Sequence, residues 1–216
     1  MINTYLDITI IAEWCAFIGA VVLLDKKTTI WRLFIGWLLL TVCIEALGWY
    51  MHANMKIYYN ALPFNILMLA GNTFLIWFFS KAGHLRQVQK ILVWVAVFFA
   101  LFGIINLFFF QGFSAYNSFS ESLADIILSI ICCYLLFKLV KDEGSIDLLK
   151  LDYFWLATGV LFYSLGSALF YHFSYLLHDF NKETNIDICT YIIYALNLPL
   201  YISLIIAFIC RRKTTR

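Results

Sequence analysis

Long apolar stretches and short polar breaks alternate along the chain. Each stretch is about 20 residues long, the length at which an α-helix crosses the hydrocarbon core of a bilayer. Every break holds polar or charged residues, so separate spanning helices explain the pattern better than fewer, longer elements. The stretches cover residues 7–24, 33–51, 59–79, 91–111, 121–140, 153–175 and 188–210. The pattern therefore predicts an all-α polytopic membrane protein, with a single seven-transmembrane-helix bundle over residues 1–216.

Composition indicates that lipid is the main solvent of this chain. Hydrophobic residues make up 63% of the sequence, aromatic residues 19% and charged residues only 13%. A water-facing surface needs a larger charged fraction than this. The first stretch does not have the charge order of a cleaved signal peptide, because Lys26 and Lys27 follow it and no basic residue precedes it. It is predicted to be a retained helix.

The basic residues predict the orientation of the bundle. If the seven stretches cross the membrane in turn, 13 of the 15 lysines and arginines fall on one side. Only Lys56 and Lys182 fall on the other. Short cytoplasmic loops carry an excess of Lys and Arg. We therefore expect the N-terminus outside, the C-terminus in the cytoplasm, and a multi-pass location in the cell inner (plasma) membrane.

Polar residues inside the predicted spans mark a candidate pocket. At about 1.5 Å of rise per residue, Glu13 and Glu45 both lie roughly 7 to 9 Å below the outer surface, and the other polar residues lie at similar depths. A carboxylate in hydrocarbon costs at least about 2.5 kcal/mol, so the acids are expected to face an outward-opening recess inside the bundle. The candidate pocket or ligand-binding residues are Glu13, Glu45, Trp49, Asn65, Asn106, Glu121, Asp125, His172 and Asn197.

Structural roles stay open for part of this set. Glu121 and Asp125 lie where the fifth helix is predicted to begin, and acids at that position complement the helix dipole. The three asparagines suit hydrogen bonds between helices. Glu13 and Glu45 have no basic residue at their depth that could neutralise them. Because intramembrane acids without such a partner have few structural uses, a functional role is favoured for these two.

The sixth span carries a run of aromatic and small residues. It reads Tyr153-Phe154-Trp155, then Gly159-Val160-Leu161-Phe162-Tyr163 and Gly166. With these residues the chain resembles an uncharacterised family of small seven-helix inner-membrane proteins of Bacteroidota, and the layout of the spans is similar over most of the chain. The resemblance implies a bacterial membrane location and no assigned activity. Its motif transfers no functional residue, because it contains no group with specific chemistry.

The excess of acids on the predicted outer side favours a binding function. Eight acidic residues lie there against two lysines, which attracts protons and cations. We therefore expect a receptor-like or regulatory module that binds an external cation, a proton or a small amphiphilic ligand. Since the predicted loops leave no room for a second domain, its output would pass to a separate cytosolic or membrane signalling partner.

Two other functions are weighed against this one. A small proton- or cation-coupled transporter would use Glu13 and Glu45. An intramembrane metal-dependent hydrolase would use the outer histidines His52, His172 and His178, but the six-residue spacing of the last two turns them to different faces of a helix. An enzymatic activity is therefore less favoured than binding. We expect no cofactor, no bound metal and no nucleic acid partner.

Overall fold

The computed structural model describes residues 6–24, 28–55, 61–113, 115–142, 147–184 and 188–214. Within these ranges the chain forms seven α-helices and two short 3-10 turns, and no β-strand. The helices are α1 (Leu6–Leu23), α2 (Thr29–Met55), α3 (Ala61–Ser80), α4 (Gln89–Phe109), α5 (Ser118–Asp142), α6 (Asp152–Thr184) and α7 (Ile188–Thr214). The prediction of an all-α fold is confirmed.

Six of the described helices, α2 to α7, are long and apolar enough to cross a membrane. The apolar part of α1 runs over Ile8–Leu23 and is shorter. These helices have the composition that lipid contact requires, because side chains facing hydrocarbon need no polar partner. The architecture is that of a helical membrane protein.

Two helices extend further than their apolar stretches predict. The second stretch was expected at 33–51, whereas α2 covers Thr29–Met55. The sixth was expected at 153–175, whereas α6 continues to Thr184. With 33 residues, α6 is about 50 Å long, compared with about 30 Å of hydrocarbon. Hydropathy marks where the apolar environment ends, and backbone hydrogen bonding continues the helix beyond that point.

The helices pack in a ring with one helix outside it. Neighbouring pairs α1–α2, α2–α3, α3–α5, α5–α6, α6–α7 and α7–α1 are in contact, while α4 packs mainly on the outer side of α3. The position of α4 follows from its side chains, since Trp94 and Phe98 on it are 71% and 62% exposed. A helix that is apolar on nearly all faces suits contact with lipid.

Successive helices run in opposite directions, so the bundle has two chemically different ends. We call the end where α3 ends and α6 begins the basic end, because Lys81 and Arg211 lie there. We call the other end, where α1 and α5 begin, the acidic end, because Glu13 and Glu121 lie in its half of the bundle.

An aromatic cluster packs the half of the bundle toward the basic end. The Phe34 ring centroid on α2 lies 4.9 Å from that of Phe78 on α3 and 5.7 Å from that of Phe208 on α7. Trp31, one turn before Phe34, adds an indole ring 5.2 Å from Phe78. All four residues are at most 1% exposed. Each such ring pair contributes about 0.5–1.5 kcal/mol beyond simple burial, so the cluster is a strong, water-free contact between helices.

An ion pair ties α7 to α6 beside this cluster. Nη1 of Arg211 donates a hydrogen bond to Oδ2 of Asp152 at 3.2 Å. The guanidinium group also lies 5.3 Å from the centroid of the Trp31 ring. Since Asp152 is only 9% exposed, removing its partner would leave a largely buried charge, which is strongly destabilising.

Gly159 allows α6 and α7 to approach closely. A Cβ atom at this position would lie 2.6 Å from the Cβ atom of Ser203 and 3.5 Å from the carbonyl oxygen of Leu200. Neither atom can rotate away, because both are fixed by the α7 backbone. Small residues at such contacts bring helix backbones together in membranes, where dispersion contacts are a main source of association.

We predict that Gly159→Ala lowers the stability of the purified protein by about 1–3 kcal/mol, as overpacking of a tight contact does. The measurement is thermal unfolding in detergent. Gly36→Ala is the matched control, since a Cβ atom on this exposed α2 residue meets nothing within 4 Å and Ala is the better helix former. Equal melting temperatures for the two variants would show that the α6–α7 contact is not tight.

Candidate functional site

A cavity of about 640 Å³ lies inside the helix ring, toward the acidic end. Its described walls come from α1, α2, α3, α5, α6 and α7, together with Tyr116 between α4 and α5. Small-molecule sites measure about 300–1,000 Å³, so the cavity has the size of a ligand pocket. The peripheral helix α4 contributes none of the lining residues described.

The first pair of acidic residues on the cavity wall, Glu13 and Glu45, lies where α1, α2 and α7 meet. Oε1 of Glu13 accepts a hydrogen bond of 2.9 Å from the hydroxyl of Tyr201. Glu13 is 6% exposed, and its Oε2 is buried without a hydrogen-bond partner in the described part of the chain. Glu45 lies on the same wall, close enough for its charge to repel that of Glu13. One carboxylate oxygen in the cavity therefore lacks the donor that burial requires.

The second pair of acidic residues, Glu121 and Asp125, lies on α5. Glu121 and Asp125 are one turn apart, which places them on one face of the helix. Oε2 of Glu121 accepts a hydrogen bond of 3.1 Å from Nδ2 of Asn72 on α3, and Glu121 lines the cavity. Asp125 is 1% exposed, lies behind the lining, and has the Ser167 hydroxyl of α6 as its neighbour. The pair thus joins α3, α5 and α6 around the cavity.

Tyr163 on α6 lies between the two acidic groups. Its phenol lines the cavity and is close enough to Glu45, Glu121 and Asp125 to interact with their charges. The next residue, Ser164, is fully buried at the cavity wall, and its hydroxyl has no hydrogen-bond partner within the described ranges. Among the described residues, Ser164 therefore adds a further buried oxygen without a hydrogen-bond partner to this part of the bundle, besides Oε2 of Glu13.

Two stacked tyrosines form another part of the wall. The rings of Tyr116 and Tyr171 lie 5.5 Å apart at an interplanar angle of 18°. The hydroxyl of Tyr171 donates to that of Tyr116 at 3.0 Å. Burial, together with the nearby charge of Glu121, raises the pKa of Tyr116 well above its usual value. Tyr116 therefore keeps its own proton, which it can donate toward the cavity.

A cluster of asparagines holds Tyr116 in place. The side chain of Asn65 on α3 makes two hydrogen bonds to the backbone of the α4–α5 connection. It accepts one from the N–H of Asn117 at 2.9 Å and donates one to the carbonyl of Ala115 at 2.9 Å. Nδ2 of Asn106 on α4 donates to the side chains of Asn117 and Ser120, the latter at 3.1 Å. Asn65 and Asn106 thus fix a loop instead of lining the cavity.

The structure divides the predicted pocket residues into separate groups. Those that line the cavity are Glu13, Glu45, Glu121 and Asn197. Asp125 lies buried behind the wall, and Asn65 and Asn106 belong to the loop cluster. His172 is exposed on α6 with its ring against Phe173, and does not belong to the lining. The side chain of Trp49 lies outside the described residues.

The expectation of one polar layer fed by all seven helices therefore needs correction. Depth along a helix was inferred from residue number, but the direction of a side chain depends on how each helix is rotated. His172 shares its depth with the cavity residues yet points away from them. Asn106 lies on α4, which the ring excludes, so it cannot reach the cavity.

The hydroxyl-rich face of α6 was missed from sequence. Tyr163, Ser167 and Tyr171 all line the cavity, and they recur every four residues on one helical face. In the sequence analysis this stretch stands out only for its aromatic and small residues, among them Gly159 and Gly166. The four-residue spacing of hydroxyl groups was the signal that could have identified the face.

The side chains of the cavity that can carry a charge near neutral pH are all acidic. Among the described lining residues there are three carboxyl groups and no Lys, Arg or His. The described residues contain no group of three or more His, Cys, Asp or Glu side chains that could hold a metal ion. The side chains of His52 and His178 lie outside the described part. The arrangement is suited to attract a cation that fills space between aromatic walls.

Comparison with protein-family models, curated proteins and solved structures finds no match to this chain. The class of protein is accordingly defined by its own fold, a helical membrane protein with an acidic cavity inside the helix ring.

We predict that Tyr201→Phe lowers stability by about 1–3 kcal/mol, because it removes the donor to Glu13 and leaves the whole carboxyl group buried without a partner. Thermal unfolding in detergent measures the change. Tyr134→Phe is the control, since Tyr134 is an exposed tyrosine of α5. Adding Glu13→Gln to Tyr201→Phe should recover part of the loss, and a double variant as unstable as the sum of the two single variants would contradict the pairing.

Proposed function

We propose that this chain is a receptor-like or regulatory membrane module that binds a small organic cation in its acidic cavity and reports to a separate signalling partner. The observation that carries the proposal is the cavity of about 640 Å³ with carboxyl groups from three helices and no basic residue among its described walls. The proposal also rests on the unpartnered oxygens of Glu13 and Ser164.

The lining favours an organic cation over a metal ion. Metal ions need several ligand atoms within about 2 to 2.6 Å of one centre, and the described acids form no such group. The acids are instead spread around a volume with aromatic walls, including Trp37, Phe64 and Phe170. Aromatic faces attract ammonium groups and also pack against apolar ligand parts. A small amphiphilic amine combines both features.

The packed half of the bundle favours binding over transport. Trp37 lies on the cavity wall, and its ring centroid is 5.1 Å from that of Phe34 in the buried aromatic cluster. A transporter needs a polar path that reaches the second side of the membrane. Next to Trp37 on that side, the described residues form a buried aromatic cluster instead. A proton- or cation-coupled transporter would have to open this cluster.

The positions of α6 and α7 suit these helices to pass a signal from the cavity to the basic end. Both helices line the cavity, through Tyr163 and Tyr201, and they are joined at the basic end by the Arg211–Asp152 ion pair. A ligand that shifts one helix relative to the other changes the face that a partner protein would meet at the basic end.

We also propose the topology in which this cavity opens to the outside. It has seven spans, including α1, with the N-terminus outside and the basic end in the cytoplasm of a bacterial cell, in the inner membrane. The 13-to-2 distribution of the 15 basic residues supports it. Membership in the seven-helix family of Bacteroidota, proposed from the α6 motif, is compatible with this location.

Reporter fusions test this topology. A green fluorescent protein fused after Arg216 should fluoresce, because that reporter folds in the cytoplasm, while alkaline phosphatase fused there should be inactive. Alkaline phosphatase fused after residue 112, between α4 and α5, should be active. Active phosphatase after Arg216 would show that the chain crosses the membrane a different number of times or in the opposite direction.

Ligand binding is tested with three matched probes of one shape. Phenethylammonium, neutral 2-phenylethanol and anionic phenylacetate are each added to the purified protein, and the melting temperature is recorded. Only the cation should raise it, by the mass-action effect of binding to the folded state. Glu45→Gln should weaken this response at least about tenfold in concentration, as loss of a charge-assisted contact does.

The exposed acid Asp147 supplies the control, and Asp147→Asn should leave the response unchanged. Equal shifts from the cation and the neutral probe would contradict a site that recognises positive charge. A response to the cation that survives both Glu45→Gln and Glu121→Gln would place the binding elsewhere.

A further inference from the structure

A second recess lies at the basic end, and its chemistry is opposite to that of the main cavity. It has a volume of about 520 Å³ and is lined by residues of α2, α3, α6 and α7. Its walls include two cations, Lys81 and Arg211, and three polar aromatic rings, Trp31, Trp77 and Tyr153. None of the described residues that line it is acidic.

Lys81 is the exposed cation of this recess. Its ammonium group lies 5.7 Å from the centroid of the Trp77 ring, and the structure gives it no carboxylate partner among the described residues. The indole face orients the ammonium group without neutralising it. Its charge therefore stays available to an anion.

Arg211, the other cation of this recess, is held by an ion pair and by an aromatic ring. One guanidinium nitrogen bonds Asp152 at 3.2 Å, and the group lies 5.3 Å from the centroid of the Trp31 ring. Fixing a cation in advance lowers the entropy cost of binding an anion beside it. Thr29 and Ile30, the first residues of α2, also line the recess. The N-terminus of a helix carries partial positive charge and exposed N–H groups, which adds to the attraction.

We propose that this recess binds a phosphate group, carried either by the headgroup of an anionic phospholipid or by a soluble phosphate ester. The oxygens of a phosphate group can be shared between a lysine and an arginine that line the same recess. The tryptophans lie at helix ends, where indole rings meet lipid headgroups. Basic recesses between helix ends are typical sites of anionic headgroups. The site is separate from the acidic cavity and does not depend on its ligand.

Native mass spectrometry of the purified protein tests the proposal. The protein is incubated with phosphatidylglycerol or phosphatidylcholine of the same acyl chains, and retained lipid is counted. We expect selective retention of phosphatidylglycerol, reduced about fivefold by Lys81→Gln, since one basic residue near anionic headgroups contributes that much. Lys81→Arg should keep it. Lys90→Gln removes an equal charge from the exposed start of α4, at the same end of the bundle, and should leave retention unchanged.

A second arm separates the two sources of phosphate. Glycerol phosphate is added to the same detergent-purified variants, and the melting temperature is recorded. Stabilisation by glycerol phosphate that depends on Lys81, without selective lipid retention, assigns the site to a soluble ester. Equal retention of the two lipids with no response to glycerol phosphate overturns the proposal. So does an equal loss in Lys81→Gln and Lys90→Gln, because it would show only a diffuse attraction of anions to the basic end.

Discussion

The need to place carboxyl groups inside an apolar bundle governs the rest of this structure. A carboxylate surrounded by hydrocarbon is costly, and the cost is reduced by hydrogen-bond donors, water, a cation or protonation. The protein directs Glu13, Glu45 and Glu121 toward one shared volume inside the helix ring. Tyr201 and Asn72 supply part of the required hydrogen bonding. The three carboxyl groups on its wall give the cavity its chemical character.

The contacts that hold the helices together differ between the two halves of the bundle. Around the cavity, helices are joined by side-chain hydrogen bonds and by the Tyr116–Tyr171 stack, which leaves room between them. Toward the basic end, helices are joined by closely packed aromatic rings around Phe34 and by the Arg211–Asp152 pair, and the second recess lies at the helix ends. In our proposal the open half receives a ligand and the closed half transmits its presence, because α6 and α7 extend through both.

Much of the fold follows from hydrophobic periodicity. The all-α architecture and the approximate positions of the helices are predicted by apolar stretches of membrane-spanning length. The exclusion of α4 from the ring is harder to predict. Between Ile91 and Phe109 its only strongly polar residue is Asn106, and that asparagine bonds a loop. Which helices enclose a cavity depends on their rotation and tilt, and both are set by packing between helices far apart in sequence.

The site could be predicted only in part, because the sequence gives the depth of a residue along its helix but not the direction of its side chain. Glu13, Glu45 and Glu121 were recognised because acids in apolar stretches must avoid lipid, a rule that needs no knowledge of the partners. His172 and Asn106 were grouped with them by depth alone, although depth does not say toward which neighbour a side chain turns. The hydroxyl groups of α6 were overlooked because tyrosine and serine are compatible with lipid, with packing and with a polar wall. Only the neighbours of Tyr163 distinguish these roles.

The accessibility of position 45 to water-borne reagents tests the central claim most directly. In a background without the native cysteines, Glu45→Cys is compared in membranes with Ile11→Cys, since Ile11 is 59% exposed on the outer surface of α1. A cationic, membrane-impermeant methanethiosulfonate reagent should modify position 45 rapidly, while position 11 stays inert. An unreactive position 45, or equal rates at both positions, would show that the acids do not face a water-accessible recess.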